Sequence, residues 1–338
     1  MKSIYRSIRK TVFALAFIFS ALCVFAEEVT FYDQDSKISI QYNSIAYSGD
    51  AVFVRLEISP LSGNSGENQD IKAKLNLYVN GKSSRKSDFY FIPTTNTKLP
   101  SGSVTMLTGL PLSTWWTSSS SCYLELSYSI DGKKSDVQKL PFAIMNKTFI
   151  SETIELDDRN TAIKTDNSKQ RMDQIQNLNE ILATVNKDAV YQTNAFVKPI
   201  DSDYRTSFFG DRRVYAYVSG GSSTSMHNGI DFRTAEGKNV SACAKGKVVL
   251  AGWRNSTGWS IVIEHLPGLY SLYYHLSEML VKPGDMVQAG SLIAKSGSTG
   301  LATGPHLHWE IRLNSEPVSP DFFTVDFAFE PDAASKNK

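Results

Sequence analysis

The stretch Thr303-Gly304-Pro305-His306-Leu307-His308-Trp309-Glu310-Ile311 decides how the C-terminal part of this chain folds. Read as a strand, its period of two places His306, His308 and Glu310 on one face and Leu307, Trp309 and Ile311 on the other. One face is then imidazole and the other core. Two histidines at i and i+2 converge on a point in front of the strand, as a metal or a hydrolytic centre requires; a pair of surface histidines is the plainer alternative. The chain has five histidines, however, and the other three, His227, His265 and His275, all lie shortly upstream.

Outward from this strand the texture is short apolar runs separated by glycine. Residues 247–253, 259–266, 269–275 and 291–295 read as strands, with Pro267-Gly268 and Pro283-Gly284 as turns. The segment 281–293 has the alternating short strands of a compact barrel-sandwich, which a biotinyl or lipoyl carrier domain also has. No lysine stands at a hairpin tip as such a carrier needs, and a carrier has no use for gathered histidines. His227-Asn228-Gly229-Ile230-Asp231 sets an imidazole and a carboxylate four residues apart, and the Gly/Ser-rich approach at 219–225 argues for a loop entering a strand. That motif alone is weak. Joined in order to Tyr273-Tyr274-His275-Leu276 and to the His306/His308 pair, it is specific.

A hydrolytic zinc takes three nitrogen or oxygen ligands, leaves a fourth position to water, lowers the pKa of that water and polarises a carbonyl. The sequence has no H-E-x-x-H, so histidines beyond the ligands would have to handle the protons.

Upstream, residues 29–144 alternate with period two: Ile38, Ile40 and Tyr42; Val52, Val54, Leu56 and Ile58; Ala73, Leu75, Leu77 and Val79; Cys122, Leu124, Leu126, Tyr128 and Ile130. Asn80-Gly81 and Asp131-Gly132 fall where hairpin turns belong. This predicts an all-β domain, an immunoglobulin-like sandwich, with no histidine and no catalytic cluster. Trp115-Trp116 reads as core or edge aromatics rather than a sugar platform, and 62–69 and 118–121 as exposed turns. Between 149 and 199, Met172, Ile175, Leu178, Ile181, Leu182 and Val185 recur at helical spacing, with Asp166 or Ser168 as cap: one amphipathic helix connecting two domains.

Two domains plus a connector suit 338 residues. Thirty-five Lys and Arg against 34 Asp and Glu give no overall pull toward nucleic acid or an anionic surface. Residues 1–26, with Lys2, Arg6, Arg9 and Lys10 before an apolar run and Val24-Phe25-Ala26 at its end, read as a signal peptide. The mature protein is then exported to the periplasm or cell envelope, with no stable membrane span. Cys122 and Cys243 read as two buried, inert thiols in different domains.

Residues from about 206 to 323 resemble the lysostaphin-like family of zinc metalloendopeptidases that cut peptidoglycan cross-links. The resemblance rests on Ser207-Phe208-Phe209-Gly210-Asp211-Arg212-Arg213, His227-x-Gly229-x-Asp231, Ala244-Lys245-Gly246-Lys247-Val248, Tyr273-Tyr274-His275-Leu276, Lys282-Pro283-Gly284-Asp285, and Gly300 through His306-Leu307-His308-Trp309-Glu310. It implies a mainly β protein whose C-terminal peptidase domain is a duplicated hybrid motif, a barrel-sandwich hybrid. By the same resemblance His227, Asp231 and His308 are ligands of one Zn2+, His275 and His306 are non-ligand active-site histidines, and the partner is a peptidoglycan peptide. His265 has a counterpart that is not a ligand.

The N-terminal half resembles, less specifically, the β domain and connector that precede this domain in some members. The expected order is signal peptide 1–26, β-sandwich 27–147, helical connector 148–200, zinc metalloendopeptidase 201–325 and tail 326–338. Residues 27–199 are expected to cover part of the groove. A catalytically silent relative that binds cell wall or activates an amidase is the alternative; such relatives lose metal ligands, and this chain keeps all three.

Overall fold

The structure is a computed structural model and describes residues 26–33, 35–61, 69–94, 99–325 and 327. The signal-peptide reading except Ala26, the 62–69 turn except Gln69, and the tail except Phe327 lie outside the described residues, as does Gln34.

The N-terminal region is two antiparallel sheets. One runs Ala26–Asp33, Ser36–Asn43, Ala51–Pro60, Val104–Pro111, Tyr90–Ile92. The other runs Lys133–Lys134, Cys122–Ile130, Ile71–Val79, Lys82–Asp88, with Gln138–Pro141 also on Cys122–Ile130. The alternating residues meet in one core: Ile38, Ile40, Val54, Leu56, Leu75, Leu77, Leu124 and Leu126 are all fully buried there. Asn80 and Gly81 have φ of 51° and 76°, Asp131 and Gly132 of 49° and 77°. Positive φ at both central residues matches the right-handed twist of the flanking strands, which is why Asn-Gly and Asp-Gly stand there.

Ala51–Pro60 departs from a half-exposed strand, being buried along nearly its whole length. Its second face is covered by the C-terminal half. Phe53 packs at 4.9 Å from Phe327 and 6.1 Å from Phe323, beside the helix Pro320–Val325. Trp115 stays exposed, with the Arg212 guanidinium 3.9 Å from its ring centroid, whereas Trp116 packs against the sandwich core. Cys243 is buried and Cys122 half-buried, and both are free thiols; burial pushes the Cys243 thiol up to about 11.

Residues 149–199 hold more than the single helix expected. Ser151–Glu155 runs parallel to Arg212–Ala216, which pairs antiparallel with Ser222–Met226. A short helix, Asp158–Thr165, follows, capped by Asp157, whose side chain accepts from the Asn160 amide at 2.7 Å. Then comes Lys169–Ala183, capped by Ser168; Leu178 and Leu182 are its buried residues, while Met172 and Val185 are exposed. The short helix escaped the sequence reading because its one buried residue is polar, Asn160.

The C-terminal region centres on an antiparallel sheet in the order Arg205–Ser207, Gly229–Arg233, His306–Leu313, Leu269–Leu276, Gly258–Leu266, Gly246–Arg254, Met286–Val287, with Glu316–Val318 also on His306–Leu313. Asn239–Ser241, Leu292–Lys295 and Glu278–Met279 form a second, smaller sheet. Leu307, Trp309 and Ile311 enter the main core with Ile230, Phe232 and Tyr273. The opposite face carries His308 and then Glu310. It continues into a small apolar cluster of Val262, Tyr270, Leu272 and Tyr274 covered by Leu178 and Leu182. The helix Lys169–Ala183 therefore lies on the sheet face that bears the histidines.

Candidate metal centre

Backbone register places the first pair of side chains. Gly229–Arg233 pairs with His306–Leu313 so that Asp231 faces His308 and Arg233 faces His306. Gly229 faces Glu310, and a Cβ there would sit 2.3 Å from the Trp309 carbonyl oxygen, so only glycine lets the strands close to this spacing. His227 lies between the strands Ser222–Met226 and Gly229–Arg233; the Gly/Ser-rich approach read as a loop over 219–225 is itself a strand from Ser222, because it pairs with Arg212–Ala216.

Three acceptor atoms converge. His227 Nε2 is 3.0 Å from His308 Nδ1 and 3.1 Å from Asp231 Oδ1, and His308 Nδ1 is 2.6 Å from Asp231 Oδ1. Among the described residues these three form the one His/Cys/Asp/Glu group that could hold a metal ion. The remaining atom of each is committed elsewhere. His227 Nδ1 donates to the Phe208 carbonyl at 2.8 Å, His308 Nε2 donates to Glu310 Oε1 at 2.9 Å, and Asp231 Oδ2 accepts from Arg213 at 2.6 Å. Such outer bonds fix which nitrogen lone pair points inward and stop the rings turning. Arg213 is itself held by Glu152 at 2.9 Å, and Glu310 by Arg312 at 2.7 Å.

The field at this point favours positive charge. Burial works against a charged His308, but Asp231 and then Glu310 outweigh it and raise its pKa to about 9. Burial likewise opposes ionised Asp231, yet His227 and His308 hold it well below the usual carboxylate range. Glu310 is held down to about 2 by Arg312 and His308, against its burial. Two nitrogens and one carboxylate oxygen, buried, mutually close and oriented from behind, are a donor set that fits Zn2+.

His275 and His306 join this group without sharing its ligand geometry. Their ring centroids are 4.6 Å apart, His275 is 6.1 Å from His308, and His306 Nε2 is 3.8 Å from Asp231 Oδ1. His275 Nδ1 donates to the Thr299 carbonyl at 2.7 Å and His306 Nδ1 to the Gly304 carbonyl at 2.8 Å, so each keeps Nε2 as a free acceptor. Burial first, and then the neighbouring histidines, push His275 down to about 3; burial also lowers His306, against the pull of Asp231. Both are neutral bases near pH 7.

Strict alternation would turn His275 away from the face of Tyr274, yet both rings lie near His308, with Tyr274 stacked on it at 5.4 Å. The cause is a bulge. Trp259 pairs with Leu276 but Ile261 pairs with Tyr273, so the Leu269–Leu276 strand carries one extra residue there, and His275 has φ of +60°. A bulge re-aims a side chain, and the left-handed backbone of a non-glycine residue is tolerated only where its surroundings impose it. Here the Thr257 carbonyl accepts from the His275 amide at 2.9 Å.

His265 does not join the centre. It is wholly buried in Gly258–Leu266, bonded to the Lys245 carbonyl at 2.9 Å and Ser271 Oγ at 2.7 Å. The sequence reading assigned no role to Glu310 or Arg213. Alternation with His306 and His308 marks Glu310, whereas nothing local marks Arg213 as the partner of Asp231.

Residues 225–320 match the model of peptidase family M23. A peptidoglycan DD-endopeptidase of Vibrio cholerae, ShyB, is 37% identical over 142 residues, which are 41% of this chain and 32% of that protein. Lysostaphin of Staphylococcus simulans is 46% identical over 93 residues, 27% of this chain and 19% of that protein. The chain thus spans no more than about a third of the length of these relatives. A crystal structure of a Pseudomonas aeruginosa protein assigned to peptidase M23 is similar over 84% of this chain and 96% of that one, at 22% identity and a TM-score of 0.50, a likeness of fold. The stretch that folds around His227, Asp231 and His308 is a peptidase family M23 domain, homologous to lysostaphin and ShyB.

Proposed function

We propose that this chain is an exported zinc-dependent endopeptidase that hydrolyses peptide cross-links of bacterial peptidoglycan. The observation that carries the reading is the convergence of His227 Nε2, Asp231 Oδ1 and His308 Nδ1 beside two neutral histidines with inward acceptors. The substrate class is taken from relatives described as peptidoglycan DD-endopeptidases.

His227, Asp231 and His308 would hold one Zn2+. When bound, it supplies Lewis acidity toward the scissile carbonyl and an acidified water. The protein's own part is proton handling and orientation. His275 and His306, held by the Thr299 and Gly304 carbonyls, take a proton at Nε2 as water adds to the amide carbon, and the resulting imidazolium faces the developing oxyanion. That proton then passes to the departing amine as the C–N bond breaks, and the second water proton follows from the new carboxyl group, leaving a carboxylate and an ammonium. Tyr274, stacked on His308, and the covering connector limit water around the centre.

In this reading residues 201–325 are a duplicated hybrid motif catalytic unit, 27–147 an immunoglobulin-like domain and 148–200 a helical connector. Residues 1–26 direct export to the periplasm or cell envelope. No described helix is long and apolar enough to cross a membrane.

The test is incubation of the zinc-loaded protein with purified cross-linked sacculi, followed by mass spectrometry of the released fragments. New amino and carboxyl termini at a cross-link are expected. Sacculi bound but uncut by protein containing no zinc would favour the silent relative.

A further inference from the structure

We infer that Glu152 is a positioning residue of the metal centre: its carboxylate offsets the Arg213 guanidinium behind Asp231 and so sets how tightly the centre holds zinc. Both residues lie outside the stretch 225–320 that matches the family model. The inference deepens the reading above and rests on it for the identity of the metal.

Sheet pairing brings the groups together. Ser151–Glu155 adds a third strand to the hairpin of Arg212–Ala216 and Ser222–Met226, running parallel to the first of these so that Glu152 stands opposite Arg213. The pairing is pinned at its start. The Ile150 carbonyl accepts from the Arg212 amide at 2.8 Å, and Phe149 lies so close over Gly210 that a Cβ there would meet its ring at 2.3 Å. One guanidinium then spans from this strand to the metal centre. Arg213 Nε donates to Glu152 Oε1 at 2.9 Å and Arg213 Nη2 to Asp231 Oδ2 at 2.6 Å. Ser207, the register partner of Asp231, donates a further bond to Glu152 Oε1 at 3.1 Å.

Charge gives Glu152 its role. Two neutral imidazoles and one carboxylate leave a bound Zn2+ with net positive charge, and a guanidinium on that same carboxylate adds another positive charge nearby. Alone, Arg213 would draw electron density from Asp231 and repel the metal ion. The Arg213 and Asp231 side chains are only 11% and 7% exposed, so solvent and salt screen this pair little. An anion on the outer side of the guanidinium cancels much of its field. It also leaves intact the bond to Oδ2, which keeps Oδ1 turned toward the ligand position. Behind His308 the anion is Glu310, in direct contact with the imidazole; behind Asp231 it must stand one group further out, because a carboxylate cannot hydrogen-bond a carboxylate.

The test is a double-mutant cycle in the full chain: Glu152→Gln, Arg213→Met and the two combined. Each protein is read by zinc affinity in competition with a chromogenic chelator and by the melting temperature of its metal-free form. Glutamine keeps an acceptor at Oε1 and removes the charge. Glu152→Gln should weaken zinc binding by about 10-fold or more, the scale of losing an outer-sphere partner, with the metal-free melting temperature little changed. In the Arg213→Met background the same change should alter affinity by no more than about twofold, because the charge it offsets is gone. Arg213→Gln takes the place of Arg213→Met if the latter does not fold. A Glu152→Gln affinity equal to the parent's, or an equal loss in both backgrounds, overturns the inference. A parent chain that takes up no zinc overturns it together with the metal site. The expected cycle in a protein that releases no fragments from sacculi keeps the role of Glu152 and contradicts the cell-wall reading instead.

Discussion

Asp231 and His308 stand directly opposite one another on adjacent antiparallel strands, with Oδ1 and Nδ1 2.6 Å apart. Two of the three positions proposed to hold zinc are therefore set by the register of a sheet rather than by loops, and a sheet register holds side chains more rigidly than a loop does.

Gly229→Ala tests that dependence. The added Cβ would meet the Trp309 carbonyl at 2.3 Å, so the strands must part. Overpacking of this kind costs about 1–3 kcal/mol, and the displaced Asp231 should weaken zinc binding in parallel. Denaturant unfolding and competitive metal titration measure the two effects; unchanged stability and affinity would show that the close approach is not needed.

Glu310→Gln removes the anion behind His308 and leaves the three proposed ligands in place. Zinc affinity should fall by about 10–100-fold, the usual cost of losing an outer-sphere carboxylate. Activity at saturating zinc should largely persist. An affinity equal to the parent's would mean that the 2.9 Å bond from His308 Nε2 merely fills space.

His265 predicts a pH dependence away from the centre. Burial holds its folded pKa at about 4 against an ordinary value of 6.5. Between these values the unfolded chain binds a proton that the folded chain refuses, so the contribution is fully present above about pH 6.5 and is lost as pH falls toward 4. The range amounts to about 3 kcal/mol. Unfolding free energies of parent and His265→Gln between about pH 7.5 and 4.5 should converge as pH falls; parallel curves would speak against it.

Leu182→Ala should destabilise the fold by about 2–4 kcal/mol, because Leu182 is buried against the sheet face that bears the site. Chemical denaturation gives the value. A loss near zero would identify Lys169–Ala183 as a passive linker.

Much of this arrangement was legible in the chain. The i, i+2, i+4 spacing of His306, His308 and Glu310 specifies one strand face, and Asn80-Gly81 and Asp131-Gly132 demand positive φ and turned out to have it. What was hidden depends on tertiary placement. Arg213 and Asp231 meet only after the hairpin of Arg212–Ala216 and Ser222–Met226 folds and Gly229–Arg233 joins the main sheet, and the extra residue at His275 leaves no mark in local composition. Ser151–Glu155 joins a sheet through a parallel partner far along the chain, at Arg212–Ala216, a pairing that alternation cannot announce. The helix Asp158–Thr165 lacks an apolar stripe, its one buried residue being the polar Asn160.

The most direct measurement is the zinc content of purified His306→Ala and His308→Ala, each checked for folding by circular dichroism. Removing a ligand should abolish stoichiometric zinc along with activity, as expected of His308→Ala. His306→Ala should keep near-stoichiometric zinc while turnover falls by about 100-fold or more, the scale of a lost proton-transfer or oxyanion group. Zinc lost from His306→Ala but kept in His308→Ala would contradict the assignment.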